Sequence, residues 1–238
     1  MAKMPGAEWQ GEQSPGVEMD RYDIVCIHTI VGFAPAHAAH FSTFADGAIV
    51  QSRDTRFRSA ANLNGNHRVI AIENEDAAKD VPLTDGQLDA CASILAWAHK
   101  THGIPLQLCP DSRPGSRGLA YHRQGIDGNF EGYRFRGRVN GGEVWSESFG
   151  KVCPRDTRIA QLPEILARAK QLIEGDDMPN YRDWDDADKE ALARDILNAP
   201  LNLRDAPKGE EQFEGVSVRD ALKAIFRAVV PSKQASRG

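Results

Sequence analysis

The sequence predicts an α/β fold, a mixed central β-sheet flanked by helices, followed by a small helical C-terminal region. Three observations predict it. Short apolar runs of β-branched character occur at 22–28 and 69–73, the turn pair Asp46-Gly47 joins two strand-like stretches, and apolar residues recur every three to four positions over 84–102 and 159–173. The chain has 238 residues, 41% hydrophobic and 26% charged. It can bury a sizeable core, and wholesale disorder, collagen-like repeats and a simple coiled coil are disfavoured. Such a length suits one domain of about 150 to 180 residues with an appendage, or two small domains.

Residues 1–21 are rich in Gly, Pro and Glu without hydrophobic periodicity, which predicts a flexible lead-in or a strap over the surface. The run 23–28 reads as a buried central strand with His28 at its end. Around Asp46-Gly47, 40–44 and 48–51 read as an antiparallel hairpin. Residues 69–73 form a further strand ending at Glu73. Thr84 can cap a helix over 85–101 on which Leu88, Cys91, Leu95 and Ala98 share a face, with Gly103 suited to its C-terminal cap. The stretch 109–158 is glycine-rich and loop-like, and its nine Arg or Lys against six Asp or Glu give a local +3. It reads either as a place to meet an anionic ligand or as a solvated loop surface. A helix over 159–173 follows, then a linker from 175 and two short amphipathic helices at 186–197 and 217–229. So small a region packs poorly alone, and packing onto the main domain or self-association through these helices is expected of it.

Net charge of −5 argues against a dedicated nucleic-acid binder, because phosphate neutralisation calls for a basic surface. The sequence has no run of about 18 apolar residues, so no transmembrane segment is expected, and the first residues lack the apolar core of a secretory signal. Residence in a cytoplasm is expected. The four cysteines, Cys26, Cys91, Cys109 and Cys153, include no CxxC pair and do not make a disulfide scaffold.

Of seven histidines, His99 and His102 lie at a helix C-terminus, where positive charge suits the dipole, and read as structural. His37 and His40 have i, i+3 spacing, but the hairpin reading makes His40 a packed residue. His28 at a strand end and His122 among glycine-rich loops sit where chemistry is usually placed, though spacing alone decides neither. Lys151, two residues before Cys153, is expected to lower that thiol towards thiolate.

The ordered series Ile27-His28, His40-Phe41 before Asp46-Gly47, Ile70-Ala71-Ile72-Glu73, Tyr121-His122 and Lys151-Val152-Cys153-Pro154 resembles the type 2 N-acetylmuramoyl-L-alanine amidases, zinc enzymes related to peptidoglycan recognition proteins. Residues 23–32, 62–68 and 109–118 look more narrowly like endolysins of bacteriophages that infect actinobacteria. The resemblance covers about 22–173, and it implies a catalytic domain over 22–174 with the linker and helical region at 175–238. It implies one zinc ion (Zn2+) held by His28, His122 and Cys153, with the fourth position open.

Some members of the family carry a catalytic tyrosine where this chain has Ala39. Others carry a glutamate at the end of the following strand, which falls here on Glu73, with Glu75 the alternative one strand repeat further. Lys151 matches the lysine that faces the reacting carbonyl. The implied reaction is hydrolysis of the amide between N-acetylmuramic acid and L-alanine of the stem peptide. Bacterial peptidoglycan is then the partner, and an endolysin would accumulate in the host cytoplasm until lysis. Arg113, Arg117 and Arg123 are expected to form a cationic rim for stem-peptide carboxylates. The competing readings are a peptidoglycan-binding module without catalysis and a zinc peptidase cutting within the stem peptide.

Overall fold

The computed structural model describes residues 2–11, 16–30, 35–75 and 80–176, all within one compact unit, Met1–Asp177. The helices expected at 186–197 and 217–229 lie outside the described residues. In chain order the strands are β1 (Glu8–Trp9), β2 (Ile24–Thr29), β3 (Phe41–Thr43), β4 (Ile49–Gln51) and β5 (Val69–Asn74), followed by helix α1 (Asp85–His102) and strand β6 (Gly118–Tyr121). Helices α2 (Asp156–Ile159) and α3 (Leu162–Asp176) complete the unit, and single 3-10 turns occupy Leu63–Gly65 and His122–Gly125.

The six strands form one sheet in the order β1-β4-β3-β5-β2-β6. It is mixed, because only the β3–β4 hairpin is antiparallel while β3–β5, β5–β2, β2–β6 and β4–β1 run parallel. Strands β2 and β5, buried except at Thr29 and Glu73, lie next to each other in its interior, as their near-continuous apolar sequences require. Strand β6 was read from sequence as loop. Residues 2–11 strap the far edge: Glu8 and Trp9 pair with Val50 and Gln51, and the Met4 amide donates to the Gln51 side chain at 2.8 Å.

Side-chain alternation divides the sheet into two faces. Val25, Ile27, Ile70, Ile72 and Leu119 meet Leu88, Cys91 and Leu95 of α1 and Leu162, Ile165 and Ala169 of α3 in the main core. The expected helix cap is present, with Thr84 and Gln87 exchanging hydrogen bonds and Gly103 in the left-handed conformation at φ 69°. Both long helices therefore cover one face. Ile24, Cys26, Val69 and Ala120 point the other way and pack against Cys109 and Trp145. No helix among the described residues is long and apolar enough to cross a membrane.

Candidate active site

Strands β2, β5 and β6 run parallel, so their C-terminal ends open on one edge of the molecule, and His28, Glu73 and His122 all sit there. His28 and Glu73 are register partners, while Ile27 pairs with Tyr121, the residue before His122. All three follow Cys26, Ala71 and Ala120 at the two-residue strand period and so share the face opposite α1 and α3. Cys153 reaches the same place from the long irregular stretch between the His122–Gly125 turn and α2. The donor atoms of His28, His122 and Cys153, all buried, lie within 4.8 Å of one another. The two imidazole centroids are 4.2 Å apart, tilted by 40°.

Each histidine is held from its outer side. The Nε2 of His28 is 3.1 Å from the Asn62 Oδ1, and the Nε2 of His122 is 2.9 Å from the Trp145 carbonyl oxygen. Both acceptors lack a proton to give, so each Nε2 donates and each Nδ1 is the free, lone-pair nitrogen. The His122 Nδ1 is buried with no hydrogen-bond partner, the condition of an atom waiting for a ligand. Burial, reinforced by the other histidine, pushes the His28 pKa well below its ordinary value; burial brings that of His122 down to about 4. Two neutral imidazoles and one cysteine fit zinc and leave a coordination position open.

Lys151 acts on Cys153 in the expected, lowering direction, but burial outweighs it. Burial first, and the neighbouring Glu73 charge second, push the Cys153 pKa up to about 12. The thiol is a protonated, unreactive group unless a cation shares the pocket, which is how a ligand rather than a nucleophile behaves.

Glu73 has its Oε1 3.7 Å from the His28 Nδ1 and its Oε2 buried without a partner. Desolvation raises its pKa to about 7, with Lys151 opposing the rise. Glu75 turns elsewhere, accepting a hydrogen bond from the Ala45 amide at 3.1 Å. Lys151 is exposed and close enough to influence Glu73, His28 and His122.

The cationic rim is not where the sequence suggested. Arg117 precedes Gly118, the partner of Ile24, about 13 Å along β2 from His28. It binds the Tyr22 and Gly103 carbonyls and pairs with Asp23. Arg113 lies by the same end, chelating Asp111 and the Asn140 carbonyl, while its own carbonyl accepts from the buried Arg68. Arg123 is fully buried and spends its guanidinium on the Pro154 and Phe135 carbonyls and on Asp156. It clamps the segment that carries Cys153 and meets no solvent.

Asn62 and Trp145, the outer partners of the two histidines, were not singled out for any role in sequence. Neither sequence neighbourhood, Ala61-Asn62-Leu63 or Val144-Trp145-Ser146, carries a signal for that role. Gly65 and Gly125 leave room for that indole: a Cβ would lie 2.5 Å and 2.2 Å from its atoms.

Residues 11–128 match the sequence profile of the family described as N-acetylmuramoyl-L-alanine amidase. The match contains His28, Glu73 and His122, and the fold adds Lys151 and Cys153 from beyond it. No curated protein sequence matches the chain. Among solved structures, the chain is similar to the endolysin N-acetylmuramoyl-L-alanine amidase LysCS from Clostridium intestinale, with 13% identity and a TM-score of 0.49 over 71% of this chain and 99% of that one. It is also similar to the hydrolase AmiA from Staphylococcus aureus, at 16% identity and a TM-score of 0.49 over 75% and 89%. For the Drosophila peptidoglycan recognition protein SD the values are 15% and 0.43 over 68% and 88%.

Proposed function

We propose, from the premise that residues 11–128 of this chain are an N-acetylmuramoyl-L-alanine amidase domain, that the protein is a zinc-dependent peptidoglycan hydrolase acting as an endolysin. It cleaves the amide between the lactyl group of N-acetylmuramic acid and L-alanine of the stem peptide. The observation that carries this reading is the convergence of three buried ligand-competent side chains within 4.8 Å, with an unpartnered carboxylate oxygen beside them.

His28 and His122 through Nδ1, and Cys153 through its sulfur, are the residues that would hold the metal. When bound, zinc supplies Lewis-acid polarisation and a water whose pKa falls to about 7. Glu73 is the general base: its carboxylate takes the proton from water and returns it to the departing amine. A pKa of about 7 lets it exchange a proton in either direction near neutrality. Lys151 places an ammonium at the mouth, where it stabilises the oxyanion that develops on the scissile carbonyl. Asn62 and the Trp145 carbonyl keep both imidazoles turned inward.

The endolysin role is supported by the likeness of residues 23–32, 62–68 and 109–118 to phage endolysins. Residues 22–174 are the catalytic domain in this reading, and 175–238 serve wall targeting or self-association.

Digestion of purified cell walls, with and without a chelator and with fragments identified by mass, tests it. The expected products are stem peptides with a free L-alanine amine and glycan carrying intact lactyl groups, all lost on chelation and restored by zinc. Cuts inside the peptide would establish a peptidase instead, and wall binding without product would establish a recognition module.

A further inference from the structure

Resting on the amidase reading for its metal, but not for its geometry, we propose that Asn62 is a positioning residue that fixes the tautomer of His28. It does so from a turn held in an unfavourable backbone conformation.

Asn62 is fully buried, and both ends of its amide are engaged. Oδ1 faces the His28 Nε2 at 3.1 Å, and Nδ2 donates to the Cys26 sulfur at 3.4 Å. Cys26 and His28 are two residues apart on β2 and project from the same face, so one side chain grips two successive positions. Reversing the amide would set its NH2 against the imidazole and abandon the sulfur. With that orientation set, Nε2 must carry the only proton of the neutral ring, and Nδ1 is left bare towards Glu73 and Cys153.

The backbone around Asn62 is equally committed. Its amide donates to the Asn66 Oδ1 at 2.7 Å and its carbonyl accepts from Gly65 at 2.7 Å. The next residue, Leu63, has φ 37°, the one positive value at a non-glycine residue among the described residues. A branched side chain seldom adopts this region, and Leu63 does not recover the cost by packing, since it stays 41% exposed. What the turn achieves lies on either side of it. Asn62 reaches His28, and the Asn64 amide donates to the Val144 carbonyl at 3.2 Å, which ties the turn to the segment whose next carbonyl, that of Trp145, accepts from His122. One bracket thus sets both imidazoles with Nε2 outward and Nδ1 inward. Hydrogen bonds of this kind are what orient histidine ligands in metal sites.

The test is long-range proton–nitrogen correlation NMR on the metal-free full-length chain, which reads each imidazole tautomer directly, combined with zinc affinity from competition with a chromophoric chelator. Wild type is expected to show His28 protonated at Nε2 alone. Asn62→Leu, of similar size and without an acceptor, should show mixed His28 tautomers and a 10- to 100-fold loss of zinc affinity. Asn62→Asp retains the acceptor and should retain the Nε2-protonated form. A wild-type His28 protonated at Nδ1, an Asn62→Leu protein with wild-type tautomer and affinity, or an Asn62→Asp protein that behaves like Asn62→Leu would each overturn the proposal. If Asn62→Leu does not fold, the wild-type and Asn62→Asp tautomers decide. Should wild type bind no zinc while the tautomers behave as expected, the metal-dependent function falls and the positioning role stands.

Discussion

Glu73 stands directly opposite His28 in the parallel β2–β5 ladder, with its Oε1 3.7 Å from the His28 Nδ1. Register alone therefore sets the proposed proton acceptor beside a nitrogen of the candidate metal site. Glu73→Gln should keep zinc and lose turnover by about 10²- to 10⁴-fold, the usual contribution of a general base. Glu75→Gln should remain active, because that carboxylate serves the Ala45 amide. Wall-digestion rates with zinc content measured in parallel separate the two outcomes, and an active Glu73→Gln would remove the base from this strand.

Lys151 is exposed, and the role proposed for it is to stabilise charge that develops on the scissile carbonyl. Lys151→Ala should leave melting temperature and zinc content unchanged while lowering kcat about a hundredfold. A fall in KM affinity with unchanged kcat would assign it to substrate binding instead.

Removing a ligand should be felt in metal content before anything else. His122→Ala and Cys153→Ala are each expected to purify with less than stoichiometric zinc and no amidase activity, as measured by elemental analysis. Undiminished zinc in either variant would exclude that residue from the site.

His40, fully buried on the hairpin side of β5, predicts acid lability. Its Nδ1 accepts from the Ala71 amide at 3.1 Å and its Nε2 faces the Phe57 carbonyl at 2.9 Å, so only the neutral ring fits. Burial brings its pKa from 6.5 to about 4. The unfolded chain takes up a proton as pH falls through 6.5, and the folded chain resists until about pH 4. The stability it contributes is complete above pH 6.5, is lost between 6.5 and 4, and changes no further below. The loss is about 3 kcal/mol. Urea unfolding across this window should show it, and His40→Asn, which keeps an acceptor for Ala71, should be less stable at pH 7 with a shallower acid slope. His28 and His122 shift in the same direction in metal-free protein, so part of the slope remains.

Gly125 is the tightest point in the packing of Trp145, with a Cβ placed 2.2 Å from the indole. Gly125→Ala should displace the tryptophan, cost about 1–3 kcal/mol of stability, and weaken zinc binding about tenfold by drawing the Trp145 carbonyl away from His122. Calorimetry and metal titration report both. An unchanged zinc affinity would show that the carbonyl follows the ring without effect.

Where the chain carries its own periodicity, the fold was legible. The interior strands β2 and β5 are continuous apolar runs, α1 has its capping residues, and Asp46-Gly47 marks the hairpin. Strand β6 was missed because Gly118-Leu119-Ala120-Tyr121 lacks β-branched residues and begins on a glycine at φ 119°, so its pairing with β2 is imposed by the sheet. Strand β1, two residues at an edge, has too little sequence to signal anything. At the site, His28, Glu73, His122, Lys151 and Cys153 were found through an ordered motif series; spacing alone would not have joined them. The arginines were misplaced for a physical reason. A guanidinium is ordinarily solvent-exposed, and only the three-dimensional arrangement reveals that Arg123 is enclosed by carbonyls and an aspartate.

The two faces of the sheet also partition the consequences of change. The sheet side chains that pack against α1 and α3 lie on one side, while His28, Glu73 and His122 project to the other, where Cys153 joins them from its loop. A lineage could therefore redesign its helical side, trading aliphatic residues for robustness or for a new attachment surface, while its chemistry stayed intact. Conversely, the reaction side could lose its thiol or its carboxylate without disturbing the helical core on the far side of the sheet.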